Sequence, residues 1–130
     1  ATKLVTTATG RQFSFPDCER NRSGNANFKT QIVNYPVQSV ATAEIVPLGV
    51  ILLFNKLKEK GLQSVVINTV HDSVLIDTHP DEIDIVKEIG PQCLLDAQEE
   101  AKKRFGLPDY IPLEVEMSHG NNWMEQQDFN

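Results

Sequence analysis

Asp72 is the residue whose type and surroundings point most directly to chemistry. It follows His71 and stands between two β-branched apolar runs, Val65–Ile67 and Val74–Ile76. Two such runs separated by a short polar step predict a β-hairpin with the carboxylate at its tip. A carboxylate on a rigid turn beside a histidine can present a divalent metal to a phosphate. Because metal-assisted phosphoryl transfer normally needs a second carboxylate from another element, the sequence predicts half of such a site.

The side chains around Asp72 do not complete a metal site. Asp77 lies five positions further on, so strand alternation turns it to the other face of the sheet. Ser73 offers only a neutral hydroxyl. His71 could act as a base, but no serine or cysteine nucleophile stands in a recognisable elbow, which weakens a hydrolase interpretation. The alternative for Asp72 is a turn aspartate that binds backbone groups, and spacing alone favours that alternative.

Asn34 and Gln38 form a second candidate pair, one helical turn apart around Pro36. If this segment turns as expected, the two amides project together and can reach the minor-groove acceptors that every base pair offers. The alternative is a capping pair at a helix start, which spacing alone favours.

Composition limits the class of protein. The chain has 130 residues and 40% apolar content, which is enough for one domain with a packed core. Its two cysteines are too few for a disulfide scaffold or a zinc site, so we expect a reducing cytoplasm. The longest apolar run, Ile45–Phe54, is half of the roughly 20 residues that a bilayer span needs. No secretory signal precedes the first strand-like segment, and we expect no membrane partner.

The charge distribution favours nucleic acid more than the net charge does. The chain carries −6 in total, which alone argues against a polyanionic partner. Residues 1–34 hold five Lys and Arg against two acids, a net +3, and the other 96 residues therefore carry −9. The basic end could meet phosphates while the acidic remainder faces solvent or metal, and ordinary surface charge is an equal alternative.

The predicted elements give an α+β layout, one antiparallel sheet packed by helices. A helix over 38–60 is apolar nearly all round, which predicts burial, with a bend at Pro47 and Gly49 and a cap at Gly61. In the strand over 111–117, Leu113, Val115 and Met117 are expected on one face. The other predictions are strand fragments in 3–15 around Gly10, a polar loop over 17–28, an extended segment over 31–35, a hairpin over 64–77, and a helix from 78 to 105 that breaks at Gly90–Pro91 and is stopped by Gly106 and Pro108.

Four collinear stretches resemble the family A DNA polymerases, the group of bacterial DNA polymerase I and its phage relatives. Thr69–Asp72 with the apolar strand after it is similar to motif C of that family. The segment Asn34–Ile45, ahead of it, resembles the helix start that precedes motif C, in the sequence form of the phage members. The stretches are Thr9–Arg11 with Phe15–Asp17, Asn34–Ile45, Thr69–Asp72, and Leu113–Glu116 with Gly120–Trp123. They occur in the family's order, and the match that they define extends over nearly all 130 residues.

The resemblance implies a DNA-directed DNA polymerase, a nucleotidyltransferase that adds dNTPs to a primer 3′-hydroxyl by two-metal phosphoryl transfer. Asp72 would be one of the two metal-binding palm aspartates, with Mg²⁺ as the cofactor and Mn²⁺ as an alternative. His71 would lie near the primer terminus. Asn34 and Gln38 would contact the minor groove of the primer-template DNA, and Arg11 would touch its backbone.

Two departures from the family pattern accompany this resemblance. Ser73 stands where bacterial members usually carry a glutamate, and Thr30 stands where they place an arginine. Phage-type members tolerate the first change. With Ser73 in place of that glutamate, Asp72 is the only carboxylate at this tip.

Residues 1–130 resemble only the C-terminal part of the palm, since motif A, fingers, thumb and exonuclease lie upstream in the family. We therefore hypothesise a split polymerase, in which a second polypeptide supplies motif A, fingers and thumb in the cytoplasm of a bacterium or phage-infected host. A fragment of a longer chain is the plainer alternative. A different class would be a noncatalytic nucleic-acid-binding or assembly subunit that uses the basic residues 1–34. A free-standing metal-dependent nuclease is least favoured, because one carboxylate is a poor metal site.

Overall fold

The computed structural model describes residues 3–107 and 114–129. The α+β class is confirmed, but the prediction of one sheet is wrong. In the described residues the strands pair only within three separate antiparallel hairpins, β1 with β2, β3 with β4, and β5 with β6, so each sheet keeps two free edges. The elements are β1 (Leu4–Thr6), β2 (Gln12–Ser14), α1 (Lys29–Gln38), a π segment (Ser39–Ile45), α2 (Val46–Glu59), β3 (Val65–Val70), β4 (Ser73–Asp77), a 3₁₀ turn (Pro80–Glu82), α3 (Ile83–Phe105), β5 (Ser118–His119) and β6 (Gln127–Asp128).

The first helical stretch is longer than the sequence predicts. It runs without interruption from Lys29 to Glu59, so the prediction of an extended segment over 31–35 is wrong. The aromatic ring of Tyr35 packs against those of Phe13 and Phe15, with centroid distances of 5.7 and 5.9 Å. These contacts outweigh the local preference of a residue before proline for extended backbone.

The irregularity expected at Pro47 and Gly49 lies just before them, in the π segment. Pro47 has no N–H for the carbonyl four residues earlier, so the α-helical ladder cannot continue there. The N–H of Val46 instead donates to the carbonyl of Ala41, the wider spacing of a π turn. The Thr42 hydroxyl donates to the Gln38 carbonyl at 2.7 Å and satisfies an acceptor near the start of this segment.

The core lies where α2 packs against α3. Its largest cluster of buried side chains comprises Leu53, Leu57, Val86, Ile89 and Cys93. Burial raises the pKa of the Cys93 thiol, which therefore packs as a neutral side chain.

The break predicted at Gly90–Pro91 is wrong, because α3 is continuous through this pair. Residues on both sides of it, Val86 and Ala97, are fully buried, and this packing holds the two halves in one helix. Gly106, at φ 64°, ends α3 as predicted, whereas Pro108 lies outside the described residues.

The prediction that the 38–60 helix is buried on all sides is wrong for the described part of the chain. Leu53 is 1% exposed, whereas its neighbour Phe54 is 56% exposed, so only one face is covered. By length and mean hydropathy (1.8 over 18 residues) the stretch Lys29–Glu59 could cross a bilayer, and 17% of that window is buried. Core helices pass the same test, and the absence of a membrane partner stays a prediction.

The strand predicted over 111–117 is wrong in its described part, because residues 114–117 form no strand. Val115 and Met117 are half-buried while Glu114 and Glu116 are exposed, so the predicted alternation of faces is confirmed. Strand geometry needs a neighbouring strand, and β5 begins to pair only at Ser118. Residues 111–113, with Leu113, lie outside the described residues.

Candidate catalytic half-site on the β3–β4 hairpin

The hairpin predicted around Asp72 is confirmed. Val70 pairs with Ser73, which leaves His71 and Asp72 as a two-residue turn. His71 has φ 55°, the left-handed conformation that His adopts more readily than most other non-glycine residues. The Ser73 hydroxyl donates to the Val70 carbonyl at 2.8 Å and closes the turn. The tip is therefore a defined local structure.

The Asp72 carboxylate faces solvent. Among the described residues it accepts no hydrogen bond and forms no ion pair, so the alternative of a backbone-binding turn aspartate does not describe it. Asp77 pairs with Val65 at the opposite end of the hairpin and cannot share a ligand with Asp72. Both oxygens of Asp72 are thus available to a ligand from outside this part of the chain.

The donor set at this tip fits part of a metal site. Carboxylate oxygens are ligands that Mg²⁺ prefers, and it usually binds one or two of them together with water and substrate phosphates. Within residues 3–107 and 114–129, no group of three or more His, Cys, Asp or Glu side chains could hold a metal ion. Asp72 therefore fits as one ligand of a metal site, and the described residues bring no set of three such ligands together.

The base of the hairpin is held by Glu82, a residue that the sequence analysis missed. Its carboxylate accepts hydrogen bonds from the backbone N–H groups of Gln63 and Ser64, both at 2.9 Å, and from the Ser64 hydroxyl at 2.5 Å. The same hydroxyl accepts the N–H of His79 at 3.1 Å. The hydrogen bond from the Gln63 N–H, followed by the one from the Ser64 hydroxyl, holds the pKa of Glu82 below its usual value.

The amide pair lies on one side of α1. Asn34 and Gln38 are both exposed and four residues apart, so their side chains project together as predicted. The capping alternative is wrong, because α1 begins at Lys29 and its first residue has no side-chain cap. These amides stand in the helix interior with no described partner.

Arg11 lies against the π segment rather than free in solvent. Its Nε is 3.5 Å from Oε1 of Glu44, which also accepts a hydrogen bond from the Ser39 hydroxyl at 3.3 Å. Arg11 is 48% exposed, whereas Glu44 is 11% exposed. Oε2 of Glu44 is buried without a hydrogen-bond partner in the described structure. The pair joins the β1–β2 hairpin to the helix next to Gln38, and no local sequence pattern distinguishes Glu44.

A broad cleft extends from the hairpin tip to the C-terminal segment. Its volume is about 1330 Å³, and its lining includes Asp72, Glu116, His119 and Trp123. The ring of His119 stacks on that of Phe129 at 4.3 Å, and the Lys87 ammonium lies 4.5 Å from the Phe129 ring centre. These contacts dock the C-terminal segment on α3, beside the hairpin.

Sequence comparisons with known proteins agree on one class, the DNA polymerases. The model of DNA polymerase family A matches residues 1–125, and the chain belongs to this family.

The individual matches are to much longer proteins. DNA polymerase I of Caldicellulosiruptor bescii is 40% identical over 93 residues, which are 72% of this chain and 10% of that protein. The DNA polymerase of Bacillus phage SP01 is 29% identical over 121 residues, 92% of this chain and 13% of that protein. The solved POL domain of Pol1 from M. smegmatis, in complex with DNA primer-template and dNTP, covers 73% of this chain with a TM-score of 0.62 and 24% identity. This chain spans 17% of that structure, whose likeness supports the fold.

Proposed function

We propose that this chain forms the C-terminal part of the palm of a DNA-directed DNA polymerase, which adds dNTPs to a primer 3′-hydroxyl by two-metal phosphoryl transfer. The observation that carries the proposal is the unpartnered Asp72 carboxylate on a closed turn, at the position where the sequence resembles motif C. Membership of family A supports the same activity.

The residues of this chain bind and orient the substrates. Asp72 would hold Mg²⁺, or alternatively Mn²⁺, which would supply stabilisation of the charge that develops on the transferring phosphoryl group. His71 would lie beside the primer terminus. The amides of Asn34 and Gln38 donate to minor-groove acceptors of the primer-template, and because these acceptors occur on every base pair the contact is independent of sequence. Arg11 contacts a backbone phosphate with the exposed part of its guanidinium.

The second metal-binding carboxylate comes from outside residues 1–130. Support comes from the absence of a multidentate cluster in the described residues and from the exposed apolar face of α2. A second polypeptide with motif A, fingers and thumb would supply the carboxylate, as would the remainder of a longer chain. The assembled enzyme works in the cytoplasm of a bacterium or of a phage-infected host.

Two matched substitutions on the hairpin test this function in the assembled polymerase. Asp72→Asn removes the metal ligand, whereas Asp77→Asn makes the same charge change at the other end of β4. We expect Asp72→Asn to slow primer extension by roughly 10²–10³-fold, the scale of losing a group that stabilises transition-state charge. Its Kd for primer-template should change less than about twofold, because the phosphate and groove contacts remain. Near wild-type extension by Asp72→Asn would contradict the proposal, as would an equal loss with Asp77→Asn.

A noncatalytic nucleic-acid-binding subunit is the competing function. It would use the basic residues of the N-terminal region and predicts steeply salt-dependent DNA binding that Asp72→Asn does not affect. Apart from Arg11, two of those five basic side chains are already engaged within the chain. Lys3 donates to the Pro16 carbonyl, and Arg20 donates to the Gly24 carbonyl. This engagement favours the polymerase.

A further inference from the structure

Glu82 stands where three parts of the chain meet. Gln63 and Ser64 lead into β3, His79 follows β4, and Glu82 itself directly precedes α3. The carboxylate accepts hydrogen bonds from three donor groups of Gln63 and Ser64. The Ser64 hydroxyl in turn accepts a hydrogen bond from the His79 N–H. Ser64 is 2% exposed, so this junction is shielded from solvent on one side. Both ends of the β3–β4 hairpin are thereby tied to the start of α3.

These hydrogen bonds restrain a motion that the apolar contacts of the hairpin leave free. Val66, Val74 and Ile76 pack against the core and hold the hairpin near α2 and α3. Apolar packing is not directional, so it restrains separation better than tilt. Hydrogen bonds weaken steeply when their angle changes, and a set of them at one end fixes orientation. We call these hydrogen bonds among Glu82, Gln63, Ser64 and His79 the clamp. The clamp controls the direction in which the hairpin points.

The length of the hairpin makes this direction matter at Asp72. At about 3.3 Å per residue, the tip lies roughly 20 Å from the clamp, and a tilt of about 3° moves it by about 1 Å. A displacement of about 1 Å at a reacting centre can cost as much as 10²-fold in rate. A small loosening at Glu82 is thus enough to misplace a metal ligand.

We infer that Glu82 is a positioning residue for Asp72: by clamping both ends of the β3–β4 hairpin to the start of α3, it aims the catalytic carboxylate. The inference rests on the proposed polymerase function. Glu82 lies at the far end of the hairpin from Asp72 and acts through the two strands, without contact to substrate or metal.

The test uses Glu82→Gln in the assembled polymerase, with Glu88→Gln as the matched control. Gln keeps one acceptor oxygen but turns a donor amide toward N–H groups that also donate, so part of the clamp is lost. Glu88 is an exposed residue of α3 with no described contact. Three quantities are measured: kcat of primer extension, Kd for primer-template, and hydrogen–deuterium exchange of the hairpin amides over 65–77, which is independent of activity.

For Glu82→Gln we expect kcat to fall about tenfold, Kd for DNA to stay within about twofold, and the hairpin amides to exchange about tenfold faster. Glu88→Gln should leave all three unchanged. A variant with wild-type kcat and wild-type exchange would overturn the inference. So would a loss of kcat accompanied by an equal loss of DNA affinity and faster exchange throughout α2 and α3, because that pattern is general unfolding.

A milder variant keeps the inference testable if Glu82→Gln does not fold. Ser64→Ala removes only the hydroxyl that joins Glu82 to His79 and should give the same pattern at about threefold. Wild-type behaviour of Ser64→Ala in that case would overturn the inference. Asp72→Asn separates the two proposals. If it is inactive while the clamp variants behave as wild type, only the positioning role fails, and if it is active, the polymerase function itself fails.

Discussion

Two residues at opposite ends of one hairpin set the geometry of the candidate site. At the tip, His71 holds a left-handed backbone, which costs on the order of 1–3 kcal/mol and persists because the Val70–Ser73 pair closes the turn. At the base, Glu82 accepts hydrogen bonds from Gln63 and Ser64 ahead of β3, and the Ser64 hydroxyl accepts one from the His79 N–H after β4. Strain at the tip is therefore offset by pairing within the hairpin, and orientation is supplied from outside it.

The clamp also predicts a pH dependence. The pKa of Glu82 lies below its ordinary value of 4.5 in the folded chain, first because of the Gln63 N–H and then because of the Ser64 hydroxyl, with a smaller contribution from His79. A group with a depressed folded-state pKa stabilises the fold above its unfolded pKa, and this contribution is lost as pH falls through the folded value. Hairpin exchange protection should therefore be constant from pH 7 to about pH 5 and decline below about pH 4.5.

The control for this prediction is Glu82→Gln, which has no carboxyl to titrate at this position. Its hairpin amides should exchange faster at every pH and show a smaller additional loss of protection below about pH 4.5. Equal acid sensitivity in both proteins would mean that other carboxyl groups control the hairpin.

Among the elements, the pairing of α2 with α3 carries most of the packing. Gly49 lies so close to Leu94 that a Cβ at position 49 would overlap the Leu94 side chain, so the two helices approach each other closely there. The apolar clusters on either side of this contact include Leu53 and Ala97. The hairpin of the candidate site packs on the first cluster through Val66 and Val74.

Neighbouring residues of α2 should differ sharply in their effect on stability. Leu53→Ala leaves a cavity in the core and should lower the free energy of unfolding by about 2–5 kcal/mol. Phe54→Ala removes a side chain that is 56% exposed and should cost less than about 1 kcal/mol in this chain. Urea unfolding followed by circular dichroism gives both values. Equal losses would contradict the placement of the buried face of α2.

The features that the sequence predicted correctly depend on residues close together in the chain. The hairpin at Asp72, the shared face of Asn34 and Gln38, and the helix end at Gly106 follow from spacings of a few residues. The errors have distant causes. Tyr35 is held in a helix by aromatic contacts more than 19 residues away in the chain, and the partners of Glu82 lie 18 and 19 residues from it. No local pattern contains that information.

At the scale of the whole molecule, many large apolar side chains of the described residues are exposed. Exposed large hydrophobic side chains lie along the first helical stretch and on β3, and include Val33, Val37, Ile51, Phe54, Val65 and Ile67. Where such side chains form a contiguous patch, another protein segment or a membrane covers it. Under the proposed function, the remainder of the polymerase covers this surface.

Charge substitution on this surface tests what covers it. Ile51 is 57% exposed on α2, and Ile51→Asp should weaken association with the remainder of the polymerase at least about tenfold, because it places a charge in an apolar interface. Lys103→Asp, a charge change on an exposed residue of α3, should leave association unchanged. Association is measured by titration of the two parts. Unchanged binding of Ile51→Asp, together with co-sedimentation of the wild-type chain with neutral lipid vesicles, would point to a membrane instead.

The π segment also bears on how this chain is aligned with its relatives. In a regular α-helix, one inserted residue rotates everything after it by about 100°, which would turn either the amides of α1 or the buried face of α2 away from its place. A wide turn takes up one additional residue locally and leaves both faces in phase. Ser39–Ile45 is thus a place where the helix can differ in length by one residue from a family member with an uninterrupted α-helix. Against a family member whose helix is uninterrupted here, an alignment that forbids a gap in 39–45 would misplace Asn34 and Gln38 by one position.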